Sequence, residues 1–392
     1  MTAGALPRGN CGQATMTCLA AIVAIGIVGS AFIDTNRFFT TLIWSTAQWM
    51  PLQSLANVLQ QYAWEQFSSM EWSRNGSAAP ILEIQSVSVQ DHKDDVLGYL
   101  ESNYGKFWID RPVLFRGLWD PNALMTSNRR LSLDGLLNQN LTIPYFSDAR
   151  LGELTPDANA PVKDIVRNIT MGYPHKFGTQ LLVQSYPELI EEVAPGELVT
   201  KLFGNHFQPR HILGVGKTLG LFPGTTTVPV FVANLQSYSQ ENATCNSNVV
   251  EKDTLNPEPS LSSHTALHCE PIGNVAVQLS GSRQWLLIDP KHSSKLNPSL
   301  DPDGRGFFAS WVQSFDHVPR YLVTTRAGDA VWVPTWTWHR VDYISSSGED
   351  SSISIGASLF HFRPLEFGRR NPLYALLIMP ALIRELLGIS TQ

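Results

Sequence analysis

Short apolar runs, each closed by Gly, Pro, Asn or Ser, dominate the second half of the chain. Val228–Ala233, Asn274–Leu279, Trp285–Ile288, Tyr321–Thr324, Ala330–Val333 and Ile353–Phe362 read as strands. Ser280-Gly281-Ser282 and Asp301-Pro302-Asp303-Gly304 read as turns between them. Further upstream, Arg111-Pro112-Val113-Leu114-Phe115-Arg116-Gly117 reads as a strand entering a turn. Helical spacing is assigned to Val96–Tyr104 and to Pro187–Phe203, the latter broken near Pro195. No internal repeat is visible. Regular short strands with Gly-rich turns predict a mainly β fold, a sandwich or barrel with flanking helices.

The amino end follows a different pattern. Met16 to Ile33 is eighteen residues without a charge and apolar all round. Inside the wider uncharged window from Asn10 to Asp34, a helix rising about 1.5 Å per residue covers a bilayer core. Two readings stay open. One is a transmembrane signal-anchor over residues 15–34 behind a short cytosolic head, residues 1–14, with Arg8. The other is a cleaved signal peptide, with Gly29 and Ala31 placed for a cut before Phe32 and a secreted body. A buried core helix is disfavoured, because no polar face is present. Arg8 and Arg37 flank the segment evenly and do not fix its orientation. The expectation is a single-pass membrane protein whose body faces the lumen of the endoplasmic reticulum or Golgi. Sequons at Asn75, Asn140, Asn168 and Asn242 suit a lumenal glycoprotein, but four is close to what chance gives.

Residues 35–79 are rich in aromatics and amides and read as a stalk, or as a helical extension packed on the body. Residues 80–363 read as the globular domain, with a flexible insertion over residues 240–264. The tail, residues 364–392, is apolar but interrupted by Pro380, too broken for a second span. A helix packed on the domain, on a partner (a homodimer contact among them) or along the membrane surface fits it.

Composition narrows the class. Hydrophobic residues make up 43% and charged residues 16%, which excludes a disordered chain or a coiled coil. The net charge of −6, with no basic stripe, leaves a nucleic-acid partner without electrostatic footing. Four cysteines are too few for a disulfide scaffold and lack zinc-finger spacing; a Cys245–Cys269 pair in an oxidising lumen stays open.

Candidate chemistry lies in two segments. In Thr265-Ala266-Leu267-His268-Cys269-Glu270, at the start of a strand, alternation puts His268 and Glu270 on one face and Cys269 on the other. Well downstream, Ala327-Gly328-Asp329 turns into an apolar strand that ends at Pro334, and His339 follows Trp336 and Trp338. In a barrel, His339 could join His268 and Glu270 in a facial triad of two His and one carboxylate, the donor set of non-haem Fe(II) oxygenases. His264 reads as solvated, and Trp336 and Trp338 as wall and core residues.

Taken in order, these pieces resemble the JmjC branch of the cupin superfamily, in particular the 2-oxoglutarate- and Fe(II)-dependent hydroxylases that include an asparaginyl hydroxylase. The likeness covers roughly Ile81 to Phe362. It rests on Arg111–Gly117 as the opening strand, His268-x-Glu270 with Asn274 as the first ligand strand, Ser280–Trp285 as the hairpin, and Gly328–His339 as the second ligand strand. The resemblance implies a double-stranded β-helix of the cupin or jelly-roll type. It also implies Fe(II) on His268, Glu270 and His339, and 2-oxoglutarate as cosubstrate. By position it assigns the distal carboxylate of 2-oxoglutarate to Arg283, helped by Thr265, with Asn274 beside the cofactor. A guanidinium there could make two parallel hydrogen bonds to a carboxylate. Two departures stand out: Leu182 falls where the asparaginyl hydroxylase has a tyrosine, and Ile355–Phe360 replaces the family's Val-Asn-Phe-Trp.

The function expected is a membrane-anchored oxygenase hydroxylating a protein side chain, with a small-molecule substrate also open. Histone demethylation is disfavoured by the absence of a reader module or basic tract. Two alternatives remain: a catalytically silent cupin-like domain that binds a lumenal partner, and a metal-dependent cupin that ignores 2-oxo acids.

Overall fold

The computed structural model describes residues 79–378, apart from 94, 121–128, 148–155, 194–225, 236–263, 297, 301–307, 311, 313–314, 345–352, 372–373 and 376–377. The head, the apolar segment 15–34, the stalk to residue 78, most of the 240–264 insertion and the end of the tail lie outside the described residues. Among the described residues, no helix is long and apolar enough to cross a membrane.

The described chain opens with β1 (Ile81–Leu82), β2 (Gln85–Ser88), α1 (Val96–Tyr104) and β3 (Val113–Arg116). Next come α2 (Leu133–Leu137), the hairpin β4 (Thr142–Tyr145) and β5 (Ala158–Pro161), and α3 (Val162–Thr170). They are followed by β6 (Lys176–Thr179), α4 (Leu181–Ser185) and α5 (Leu189–Val193). The strand-rich half begins with β7 (Thr226–Thr227), β8 (Val230–Asn234), β9 (His268–Cys269), β10 (Gly273–Ser280) and β11 (Ser282–Ile288). It continues through β12 (Pro298–Leu300), β13 (Phe308–Ser310), β14 (Arg320–Thr325), β15 (Ala330–Val333), β16 (Trp338–Ile344) and β17 (Ile353–His361), and α6 (Pro364–Arg370) follows.

Two large mixed sheets carry the architecture. One runs β1-β14-β11-β16-β9-β13-β12 and the other β2-β3-β15-β10-β17-β8-β6, with β7 on β17. β8 to β11, and again β14 to β17, alternate between the two sheets, as in a cupin or jelly roll. The corner between β10 and β11 is Gly281, at φ +67°, where a Cβ would lie 2.8 Å from the Ile353 carbonyl oxygen. Glycine alone fits such a close, left-handed corner.

The period of two sorts side chains between layers. On β10, Val275, Val277 and Leu279 join the core beneath the helices, where α3 inserts Val162, Ile165, Val166 and Ile169. Ala276, on the opposite face, meets Leu114, Trp285, Leu287, Val323, Val331, Val333 and Val341 between the two sheets. A third core lies on the outer side of β9 and β16, where Leu267, Cys269, Trp336 and Trp338 pack against Tyr374, Ala375 and Ile378, with Phe367 of α6 beside them. The first part of the tail therefore packs on its own domain. Burial on both faces explains why β10, β15 and β17 read as near-continuous apolar runs.

The expected strands occur within three residues of their expected bounds, the widest gap being β11, which starts at Ser282 and not Trp285, and α1 spans Val96–Tyr104. From the expected helix Pro187–Phe203, α5 covers Leu189–Val193, and residues beyond 193 are not described. The sequence reading assigned nothing to α2, α3, β4, β5 or β6. Cys269 is a buried free thiol in the outer core, facing away from the barrel interior, while Cys245 lies outside the described residues.

Candidate metal centre

His268 and His339 come together because β9 and β16 are antiparallel neighbours in which these two residues are direct partners. Their ring centroids are 4.2 Å apart. Glu270, one residue past the short strand β9, brings Oε1 to 3.9 Å from His268 Nε2. One ligand atom from each of His268, Glu270 and His339 lies within 4.8 Å of the other two. His339 is buried, whereas His268 and Glu270 keep partial access.

Backbone carbonyls fix the imidazoles. His268 Nδ1 lies 2.7 Å from the Ala266 carbonyl oxygen, and His339 Nδ1 lies 3.0 Å from that of Thr337. A carbonyl only accepts, so each Nδ1 carries the proton and each Nε2 presents its lone pair. Burial, with His268 alongside, lowers the pKa of His339 to about 3, so its ring is neutral, the form that binds metal. Two imidazoles and a carboxylate converging on one point fit a divalent first-row metal.

The turn that leads into β16 is strained. The Thr337 N–H donates to the Pro334 carbonyl at 3.0 Å, which places Trp336 third in a four-residue turn, at φ +64°. Turns of this type normally take glycine there, and a larger side chain costs about 1–2 kcal/mol. Trp336 is the one non-glycine at positive φ among the described residues. Its own N–H donates to the Glu270 carbonyl at 2.9 Å.

Arg283 lies on the same inner surface. Strand register pairs it with Tyr343, as Leu287 pairs with His339 four residues along the same two strands. Its guanidinium crosses to the opposite sheet: Nε donates to Ser354 Oγ at 3.1 Å and Nη2 to the Phe231 carbonyl at 3.0 Å. It stands 5.0 Å from the Tyr343 ring centroid and 5.9 Å from that of Phe231. A Cβ on Gly356 would lie 2.7 Å from Nη1, so glycine makes room for the guanidinium there. Arg283 is 2% exposed, and among the described residues no carboxylate pairs with it. Burial lowers its pKa, and Tyr343 opposes that shift.

The remaining expected residues take different places. Asn274 is buried on β10 beside Val333 and Phe360, with no hydrogen-bond partner for Oδ1. Thr265 Oγ1 accepts from the Val341 N–H at 2.9 Å, which ties the lead-in of β9 to β16. Leu182 is buried in the helix-covered core, apart from the barrel interior. The aromatic residue actually beside Arg283 is Tyr343. Its signal was its even spacing from His339, four residues on. His264 is corrected: instead of being solvated it is half-buried, and Lys176 Nζ donates to its carbonyl at 3.0 Å. Burial, followed by the charge of Arg340, lowers its pKa to about 4. Trp336 and Trp338 are fully buried outside the barrel interior, as core residues.

Fold and site together define a mainly β, jelly-roll domain with a His-Glu-His cluster inside. A family model described as a cupin-like domain matches residues 255–360, the stretch that holds His268, Glu270, Arg283 and His339. The match supports the cupin/JmjC superfamily for this region. No curated protein matches the chain.

Proposed function

We propose that the protein is an Fe(II)- and 2-oxoglutarate-dependent oxygenase that hydroxylates a protein side chain. In this reading residues 15–34 tether a lumen-facing body to a membrane. The observation that carries the proposal is Arg283, a buried guanidinium with no carboxylate partner among the described residues, on the same barrel interior as His268, Glu270 and His339. An uncompensated buried charge costs several kcal/mol, and an anionic ligand recovers that cost. The order of motifs supports the asparaginyl hydroxylase branch as the nearest functional model.

His268, Glu270 and His339 would hold the iron, and Arg283 the distal carboxylate of 2-oxoglutarate. Bound there, the pair supplies the oxygen-activating oxidation. The chain's own work is preparation. His268 and His339 keep their protons on Nδ1 and direct Nε2 at the metal. Glu270 contributes the negative charge. Arg283 gives a dicarboxylate a charge-matched anchor, and Asn274 Oδ1 offers a buried acceptor. The apolar walls Leu114, Leu287, Val331 and Val333 exclude water from the interior.

The test is anaerobic visible absorption of the full chain, titrated with Fe(II) and then with 2-oxoglutarate. A charge-transfer band in the wild type and its absence in His268→Ala are the expected result. Folded wild-type protein without a band overturns the reading and favours the silent domain that binds a lumenal partner.

A further inference from the structure

We infer that Trp336 is a positioning residue for the metal ligands, and that the segment after β17 sets metal affinity through it. The inference rests on the metal-binding reading of the triad.

Three observations converge on Trp336. Its backbone is held at φ +64° inside the turn that leads into β16. Its N–H donates to the carbonyl of Glu270, so the turn fixes the backbone of one ligand. One residue on, Thr337 offers the carbonyl that holds His339 Nδ1, so the same turn orients a second ligand. A left-handed Trp persists only where its surroundings over-determine it, and such residues concentrate at functional sites.

The segment after β17 provides the over-determination. Trp336 Nε1 donates to the Phe367 carbonyl at 2.9 Å, and the two rings stack at 5.6 Å with 27° between their planes. Tyr374 meets Trp336 edge-on at 5.7 Å and stacks on Phe308 at 3.9 Å. Phe308 pairs with Cys269, the residue between His268 and Glu270. Phe367 and Tyr374 thus clamp both ligand segments from the outside, through Trp336 on one and Phe308 on the other. Loosening the clamp frees Glu270 and His339 to diverge. Groups that orient metal ligands typically carry a 10–100-fold effect on affinity.

The experiment uses the full chain and three variants: Trp336→Phe, Phe367→Ala and a control, Ile165→Ala, in the helix-covered core away from the ligand strands. Co(II) affinity is measured by competition with a chromophoric chelator, and the Co(II) ligand-field spectrum and apo melting temperature are recorded alongside. Phe367→Ala is expected to lose about 10-fold or more in affinity with a changed spectrum. Trp336→Phe, which keeps a ring but loses the indole donor, is expected to lose less. Ile165→Ala is expected to lower the apo melting temperature while leaving affinity and spectrum as in the wild type. Wild-type affinity and spectrum in both Trp336→Phe and Phe367→Ala overturn the inference and leave the triad reading intact. A wild type that binds no Co(II) overturns both.

Discussion

Asp329, in the turn before β15, and Arg283, near the start of β11, are both buried charges of the same barrel, and they are treated in opposite ways. Asp329 is saturated: Arg116 Nη1 and the Arg326 N–H donate to Oδ2, and the Gly117 N–H donates to Oδ1. Every partner is protein, and together they pin β3 to the turn before β15. Arg283, with five N–H donors available, spends two of them on Ser354 and Phe231 and meets no carboxylate among the described residues. A charge neutralised by its own chain holds the fold. A charge left without such a partner is where, in the proposed reading, a ligand anion docks.

The comparison breaks first at Arg283. Arg283→Met is expected to weaken binding of 2-oxoglutarate, or of glutarate as an inert diacid, by about 100-fold, because charge-assisted hydrogen bonds contribute about 1.5–3 kcal/mol each. Apo stability is expected to hold or rise, since an apolar side chain of similar volume removes a buried unpaired charge. Calorimetric titration and a melting curve of the same sample check both halves. A variant that binds the diacid like wild type, or melts well below it, makes Arg283 a structural residue.

Asp329→Ala should behave in the reverse sense. It strands the Gly117 and Arg326 N–H groups, and a loss of about 2–3 kcal/mol in urea unfolding is expected. Diacid affinity in the folded fraction should stay as in the wild type. Loss of diacid binding without loss of stability would erase the distinction.

The smallest effect concerns pH. His264, facing Arg340, Asp342 and Lys176, titrates at about 4 in the fold against an ordinary 6.5. Between those values the unfolded chain takes a proton that the folded chain refuses. Stability therefore stays level above about pH 6.5 and falls as pH drops towards 4. Screening at this half-buried site limits the loss to about 1 kcal/mol. His264→Gln is expected to flatten that limb in unfolding measured from pH 7 to pH 4. An unchanged slope assigns the acid limb to other groups.

Much of this was legible in the sequence, and the gaps have physical causes. β15 was readable because Gly328-Asp329 marks its start and Pro334 its end, and β10 and β17 because burial on both faces leaves few polar interruptions. The convergence of His268, Glu270 and His339 followed from alternation plus a barrel. The period of Val162, Ile165, Val166 and Ile169 carried α3, yet it was overlooked beside stronger strand signals. The surroundings of Arg283 had no local signature at all. Ser354 and Phe231 are 71 and 52 residues away, and only strand register brings them to the guanidinium. The strained Trp336 could not be foreseen either, because the sequence shows a bulky residue where such a turn ordinarily takes glycine.

The place of β3 has a consequence for the order in which the molecule can be made. It is hydrogen-bonded between β2 and β15, and the contacts that lock it there, Arg116 with Asp329 and the Trp332 indole with the Ile109 carbonyl, span 213 and 223 residues. A ribosome delivers β3 long before β15 exists, so its free edge waits while some 213 further residues are made, and closure over such separations is slow. His339, β17 and Phe367 emerge later still. In the proposed reading His268 and Glu270 wait for His339, so the candidate metal cluster closes only after β16 has emerged.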